Sequence, residues 1–100
     1  MEALTGSQRR HLRGLAHSLD PVVHIGQHGL GEAVLQEVEK ALDHHELIKV
    51  RMVGDKGEKK TFAGEIDRRL GCECVGMIGH VAIFYRPHPD EAKRKVRLRA

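Results

Sequence analysis

Aromatic residues are scarce in this 100-residue chain, which has no Trp, one Tyr and two Phe. Phe62, Phe84 and Tyr85 supply poorly any binding mode that stacks successive bases on exposed rings. Cysteine is nearly as rare. Cys72 and Cys74 stand two apart, and neighbouring same-face positions on one strand are not joined by a disulfide without distortion, so they read as reduced thiols. They also lack a second pair at zinc-site spacing, and the adjoining His44 and His45 diverge at a helix end, so no metal site is expected. No apolar run approaches the roughly 18 residues of a membrane span, and no apolar N-terminal core marks a secretory signal. The expectation is a soluble cytoplasmic protein with no membrane partner. Neither a Gly-x-x-x-x-Gly-Lys-[Ser/Thr] loop nor a Gly-x-Gly-x-x-Gly fingerprint occurs, which argues against nucleotide hydrolysis.

What is present is charge, unevenly placed. Lys and Arg number 17 against 14 Asp and Glu, a formal net charge of +3, and distribution says more than that sum. Arg9, Arg10 and Arg13 gather near the start and Lys93, Arg94, Lys95, Arg97 and Arg99 near the end. Glu32, Glu37, Glu39, Asp43 and Glu46 form an acidic stretch between them, predicting one basic and one acidic side. The length suits one domain with a modest core.

Thr5 or Ser7 is positioned to cap a first helix whose Leu12, Leu15, Ala16 and Leu19 recur at helical spacing. Asp20-Pro21 stops it. Val22 to Ile25 reads as a short strand, followed by Gly26-Gln27-His28-Gly29-Leu30-Gly31. Val34, Leu35, Val38, Ala41 and Leu42 then make the apolar stripe of a second helix. Leu47 to Val53 alternates as a half-buried strand with Lys49 and Arg51 on its other face. After the Gly54-Asp55-Lys56-Gly57 turn signal, Phe62, Ile66 and Leu70 predict a third helix from Glu58 to Leu70, ended by Gly71. Cys74 to Ile78 and Val81 to Tyr85 fit a hairpin turning at Gly79-His80.

The order αβαβαββ implies an α/β, two-layer single domain: a mixed four-stranded sheet with three helices, parallel where helices intervene and antiparallel in the hairpin. Residues 1–87 form the domain. Residues 88–100 carry charge without enough apolar residues to bury, and are expected as a flexible basic tail available for phosphate contacts.

Three glycines in six positions at Gly26, Gly29 and Gly31 belong in a turn rather than a regular element. Two readings stand side by side: a tight strand-to-helix connection, or a loop that lets a phosphate reach backbone amides at the start of the following helix. Glu32 in that first turn is an acid which a bound phosphate would have to tolerate.

The segments Arg10-His11-Leu12-Arg13-Gly14-Leu15-Ala16-His17, Pro21 to Leu30, His44-His45-Glu46-Leu47-Ile48-Lys49-Val50 and Tyr85-Arg86-Pro87 resemble, in this order, the CRM domain family and most closely its stand-alone bacterial YhbY-like RNA-binding members. The resemblance runs from about Leu4 to Pro87. It implies a compact α/β fold similar to the C-terminal domain of translation initiation factor three, and RNA binding by the Gly-x-x-Gly loop, Gly26, Gln27, His28 and Gly29, with Leu30 behind it. Bacterial members are associated with precursors of the large ribosomal subunit, whereas plant members assist intron splicing. Two positions depart from the family pattern: Gln27 stands where a basic residue is common, and Gly31 where Thr is common. Gln27 donates hydrogen bonds but brings no charge.

The combined expectation is a monomeric, non-enzymatic protein without cofactor or metal, acting on ribosomal RNA in ribosome assembly. Arg9, Arg10 and Arg13 extend the RNA surface, with Lys49, Arg51 and Lys56 as further candidates. The alternatives are a protein-interaction module using the acidic second helix, and a small metal-dependent enzyme drawing on the eight His and two Cys.

Overall fold

Reciprocal capping opens the first helix: the Thr5 hydroxyl accepts the Gln8 N–H at 3.0 Å, and the Gln8 side chain accepts the Thr5 N–H at 2.9 Å. The computed structural model, which describes residues 1–26 and 28–98, places α1 at Gly6–Ala16, β1 at Pro21–Ile25, α2 at Glu32–His45, β2 at Leu47–Met52, α3 at Lys56–Leu70, β3 at Glu73–Ile78 and β4 at Val81–Tyr85. The expected element order holds. The third helix starts two residues earlier than its apolar spacing indicates, because Asp55 caps it. Asp55 Oδ1 accepts the Glu58 N–H at 2.8 Å, and the Glu58 carboxylate accepts the Asp55 N–H at 3.2 Å. Gly71, at φ 62°, ends α3 in the left-handed conformation that suits glycine. Cys72 then precedes β3 rather than lying on it, so the two cysteines do not share a strand face; both are free thiols.

The sheet runs β1-β2-β4-β3, with β1 parallel to β2 and β4 antiparallel to both β2 and β3. Period-two alternation divides its faces. Val23, Ile25, Ile48, Val50, Met52, Ala82 and Phe84 pack against Leu35, Val38 and Leu42 of α2 and Ala63 and Ile66 of α3. On the opposite face, Leu47, Val75, Ile83 and Tyr85 pack against Leu4, Leu12 and Ala16. The layering therefore exceeds the expected two, since α1 alone forms a third layer. A single helix covers only part of its face: α1 ends at Ala16, short of Leu19, and Leu15 on the helix and Leu19 beyond it, both expected to pack as helix positions, stay 44% and 38% exposed.

The chain does not leave the fold at Pro87. Glu46, at the C-terminal end of α2, is buried to 1% exposure. Its carboxylate accepts backbone N–H bonds from His88 at 2.8 Å, from Val96 at 2.9 Å and from Lys95. Val96 adds apolar contact to the α1-side core, and the Lys95 ammonium donates to the His44 carbonyl at 2.7 Å. Residues 88–98 thus wrap back onto the domain, where a free tail was expected. Backbone amides carry most of the connection, with Val96 and the Lys95 ammonium adding to it. Arg99 of that stretch lies outside the described residues.

Candidate nucleic-acid interface

Parallel pairing of β1 with β2 brings the C-terminal ends of both strands to one edge of the sheet, with Ile25 opposite Met52 and the Val53 N–H donating to the Ile25 carbonyl at 3.3 Å. The Gly26–Gly29 turn, the start of α3 and the Gly79-His80 hairpin meet there; the hairpin is tied in by the Met52 N–H to the His80 carbonyl at 2.7 Å. The buried Lys59 ammonium holds the same hairpin through the Gly79 carbonyl at 2.8 Å.

The glycine loop is a β-turn closed by the Gly29 N–H on the Gly26 carbonyl at 3.1 Å. Its two glycines have different reasons to be there. Gly29 sits at φ 73°, beside the Phe62 ring, and needs glycine for its backbone. Gly26 has no positive φ, and a Cβ built on it meets nothing within 4 Å. Nothing in the fold demands glycine at Gly26. His28 is exposed, whereas Leu30, expected within the RNA-binding loop, packs against the α2–α3 core because it starts the turn into that layer. Gln27 lies outside the described residues.

Behind the turn, α2 begins without a side-chain cap at Gly31, leaving amide donors and the positive end of the helix dipole directed at the loop. Glu32 is drawn off to Arg69 at the far end of α3, at 2.7 Å. By contrast, α3 starts at the same edge with its amides closed by Asp55 and Glu58. Of the two helix starts, that of α2 is the one open to an anion.

The six basic candidates separate into braces and unpaired cations. Arg9 pairs with Glu73, and Arg13 donates to the Val75 carbonyl at 2.9 Å, so both reach toward β3, the edge strand farthest from the loop's own strand. Lys49 donates to the Leu19 carbonyl at 2.8 Å, holding the chain that leaves α1. These three do structural service; Lys49 in particular is turned away from the role expected of it. Arg10, Arg51 and Lys56 are exposed and have no ion pair among the described residues.

The acidic side is also consumed internally. Glu39 and Asp43 both grip Arg86, at 2.9 and 2.7 Å, while Arg86 also donates to the Leu70 carbonyl at 2.8 Å. With Glu32 on Arg69 and Glu46 on the C-terminal segment, four of the five acids expected to form a separate surface brace the fold. That weakens the interaction-module alternative. Spacing hid this, because each partner lies far away in sequence.

The cysteines offer no nucleophile. Burial pushes the Cys72 thiol far above its ordinary range, aided by the nearby Asp67 carboxylate, and burial raises Cys74 as well. Cys72 Sγ lies 3.7 Å from the Ile66 carbonyl and 3.6 Å from Asp67 Oδ1, and acts as a weak donor in a packed site. Among the described residues, no group of three His, Cys, Asp or Glu side chains is placed to hold a metal ion, and no helix is long and apolar enough to cross a membrane.

A mixed sheet with a glycine turn feeding a helix that has no side-chain cap, and with Arg51 and Lys56 exposed at the same edge, defines a small α/β domain with an open cationic edge. The particular family follows from comparison. The CRS1/YhbY (CRM) domain model matches residues 4–86, and the chain belongs to that family. A Haemophilus influenzae protein named as an RNA-binding protein is 47% identical over 94 residues, covering 93% of this chain and 94% of the relative. A Pseudomonas aeruginosa protein named as a probable RNA-binding protein is 35% identical, covering 91% and 88%. The solution structure of a Staphylococcus aureus protein, described as an RNA-binding candidate, superposes with a TM-score of 0.81 at 32% identity, covering 95% of this chain and all of that one.

Proposed function

We propose that this protein binds RNA, taking the sugar-phosphate backbone at the Gly26–Gly29 turn and the open start of α2, with Arg51, Lys56 and Arg10 supplying charge. The observation that carries this reading is Gly26: the fold leaves space where its Cβ would stand and imposes no glycine-only φ, so the absence of a side chain benefits an incoming ligand rather than the domain itself. Family membership and the RNA-binding names of the relatives support the ligand class. Within that class, the reading extends to ribosomal RNA of large-subunit precursors, bound by a cytoplasmic monomer during ribosome assembly, as the family resemblance implies.

The test is affinity for a large-subunit ribosomal RNA fragment as a function of salt. Phosphate contact predicts a log-log slope of about −0.7 to −0.9 per phosphate neutralised. Arg51→Gln and Lys56→Gln should each make the slope shallower by about one. Affinity independent of salt would refute backbone recognition. Co-sedimentation of the protein with mature subunits only, and never with precursors, would remove the assembly role while leaving RNA binding in place.

A further inference from the structure

On the α1 side of the sheet α1 is the only α-helix, and with Leu4 and Val96 it covers Leu47, Val75, Ile83 and Tyr85 but leaves one end of that face without cover. The uncovered end is the loop end. The strand register places His24 opposite Arg51, Arg51 opposite Val81, and Val81 opposite Ile78, so these four side chains form one row across all four strands. All four lie on the α1 side, since their strand neighbours Val23, Ile25, Val50, Met52, Met77 and Ala82 face α2 and α3. His24 and Arg51 are exposed and Val81 is half-buried. Ile78 is 72% exposed, the highest value among the exposed large apolar residues.

The border of this row is itself shaped. Arg13 crosses from α1 to the Val75 carbonyl directly over Gly76, where a Cβ would stand 2.7 Å from Arg13 Cδ. Gly76 therefore makes room for an arginine on the β3 side, while the glycine turn stands at the β1 side. Three strand spacings, about 14 Å, separate the two edge strands. The only carboxylate that the register places on this face of the strands is Glu73, at the far end of β3 and already paired with Arg9.

We infer that the row His24-Arg51-Val81-Ile78 is a second subsite that takes unpaired bases of the RNA strand whose backbone the glycine turn holds. The inference rests on the RNA-binding reading above. The chemistry distinguishes base from phosphate: Ile78 and Val81 offer nothing to an anion but pack against the apolar face of a base. Arg51 serves both: its charge faces the neighbouring phosphate while its planar guanidinium stacks on a base, and His24 offers a ring with hydrogen-bonding nitrogens. The scarcity of aromatic rings therefore does not leave the domain without a base surface; aliphatic and guanidinium groups replace them. A four-stranded face of this width accommodates about two or three bases. A paired A-form helix keeps its bases stacked inside and has none to give.

The experiment compares a single-stranded RNA with a fully paired hairpin of equal length at one salt concentration, by fluorescence anisotropy with the full chain. Ile78→Ser removes only an exposed side chain, so it should fold normally; its circular dichroism melt checks this. The inference predicts that it weakens single-strand binding about fivefold or more and leaves hairpin binding unchanged. Crosslinking by 4-thiouridine RNA should also map to the peptide containing Ile78 and Val81. Single-strand binding unchanged in folded Ile78→Ser, or an equal loss for both RNAs, would overturn the base subsite. Gly26→Ala reports separately on the loop: loss in that variant with Ile78→Ser unaffected overturns only the subsite, whereas RNA binding unchanged in both variants overturns the subsite and the loop reading together.

Discussion

Replacing Glu46 by Gln is predicted to release the C-terminal segment without unfolding the sheet. The Glu46 carboxylate accepts three backbone N–H bonds, two on Oε1 and one on Oε2. A glutamine keeps one acceptor oxygen and turns an NH2 donor toward at least one of these donors. A buried unsatisfied amide costs about 1–3 kcal/mol, so one of them in the upper half of that range amounts to ~2–3 kcal/mol. That loss is limited by what it takes to undock residues 88–98 and let water satisfy the amides. Native-state hydrogen exchange by NMR reads it directly: protection at His88, Lys95 and Val96 should fall about 30- to 150-fold, while β2 and β4 amides keep theirs. Unchanged protection in Glu46→Gln would refute the carboxylate as the anchor.

The same residue carries a pH signature. Burial pushes the Glu46 pKa up, but the N–H bonds from His88, Lys95 and Val96, together with the His88 charge, pull it down further, leaving a net lowering. An acid depressed in the folded state stabilises above its unfolded pKa of about 4.3, and that contribution disappears as pH falls through the lower folded value. Docking of the segment should therefore weaken only in acid, and Glu46→Gln should lose this dependence. Glu46 also sits at φ 63° and ψ −42°, a positive-φ conformation that costs a residue with a side chain roughly 1–3 kcal/mol. Glu46→Gly would relieve the backbone and still free the segment; retained protection in that variant would refute the same anchor by a second route.

Two further outcomes follow from local geometry. Gly29→Ala forces a left-handed backbone on a residue with Cβ and should cost about 1–2 kcal/mol in urea unfolding, whereas Gly26→Ala should fall within about 0.5 kcal/mol of the parent; equal costs would contradict the separate reasons assigned to the two glycines. Cys72, its thiol raised by burial, should resist iodoacetamide at pH 8 in the folded protein and react on addition of denaturant, which mass spectrometry of the alkylated peptides distinguishes; rapid labelling of the native state would contradict its packing.

Local pattern carried most of the fold. Apolar spacing in α2, alternation in β2 and β4, and the turn at Gly79-His80 depend on neighbours a few residues away, and the mixed sheet followed from the order of elements. The start of α3 is hidden in the sequence because Asp55 and Glu58 form a cap inside what looks like a Gly-Asp-Lys-Gly turn. The exposure of Leu15 and the open row ending at Ile78 were not legible, since they depend on where one helix comes to rest on a four-stranded face. The site divided in the same way. Its glycine turn is a contiguous segment, but its charges are not: Arg9 meets Glu73 64 residues away, Lys49 meets Leu19 30 residues back, and Glu46 meets Val96 50 residues on. A basic residue advertises the same charge whether it braces the fold or awaits a ligand. Only tertiary pairing separates Arg9, Arg13 and Lys49 from Arg10, Arg51 and Lys56. It is the second group that leaves positive charge unpaired for phosphate.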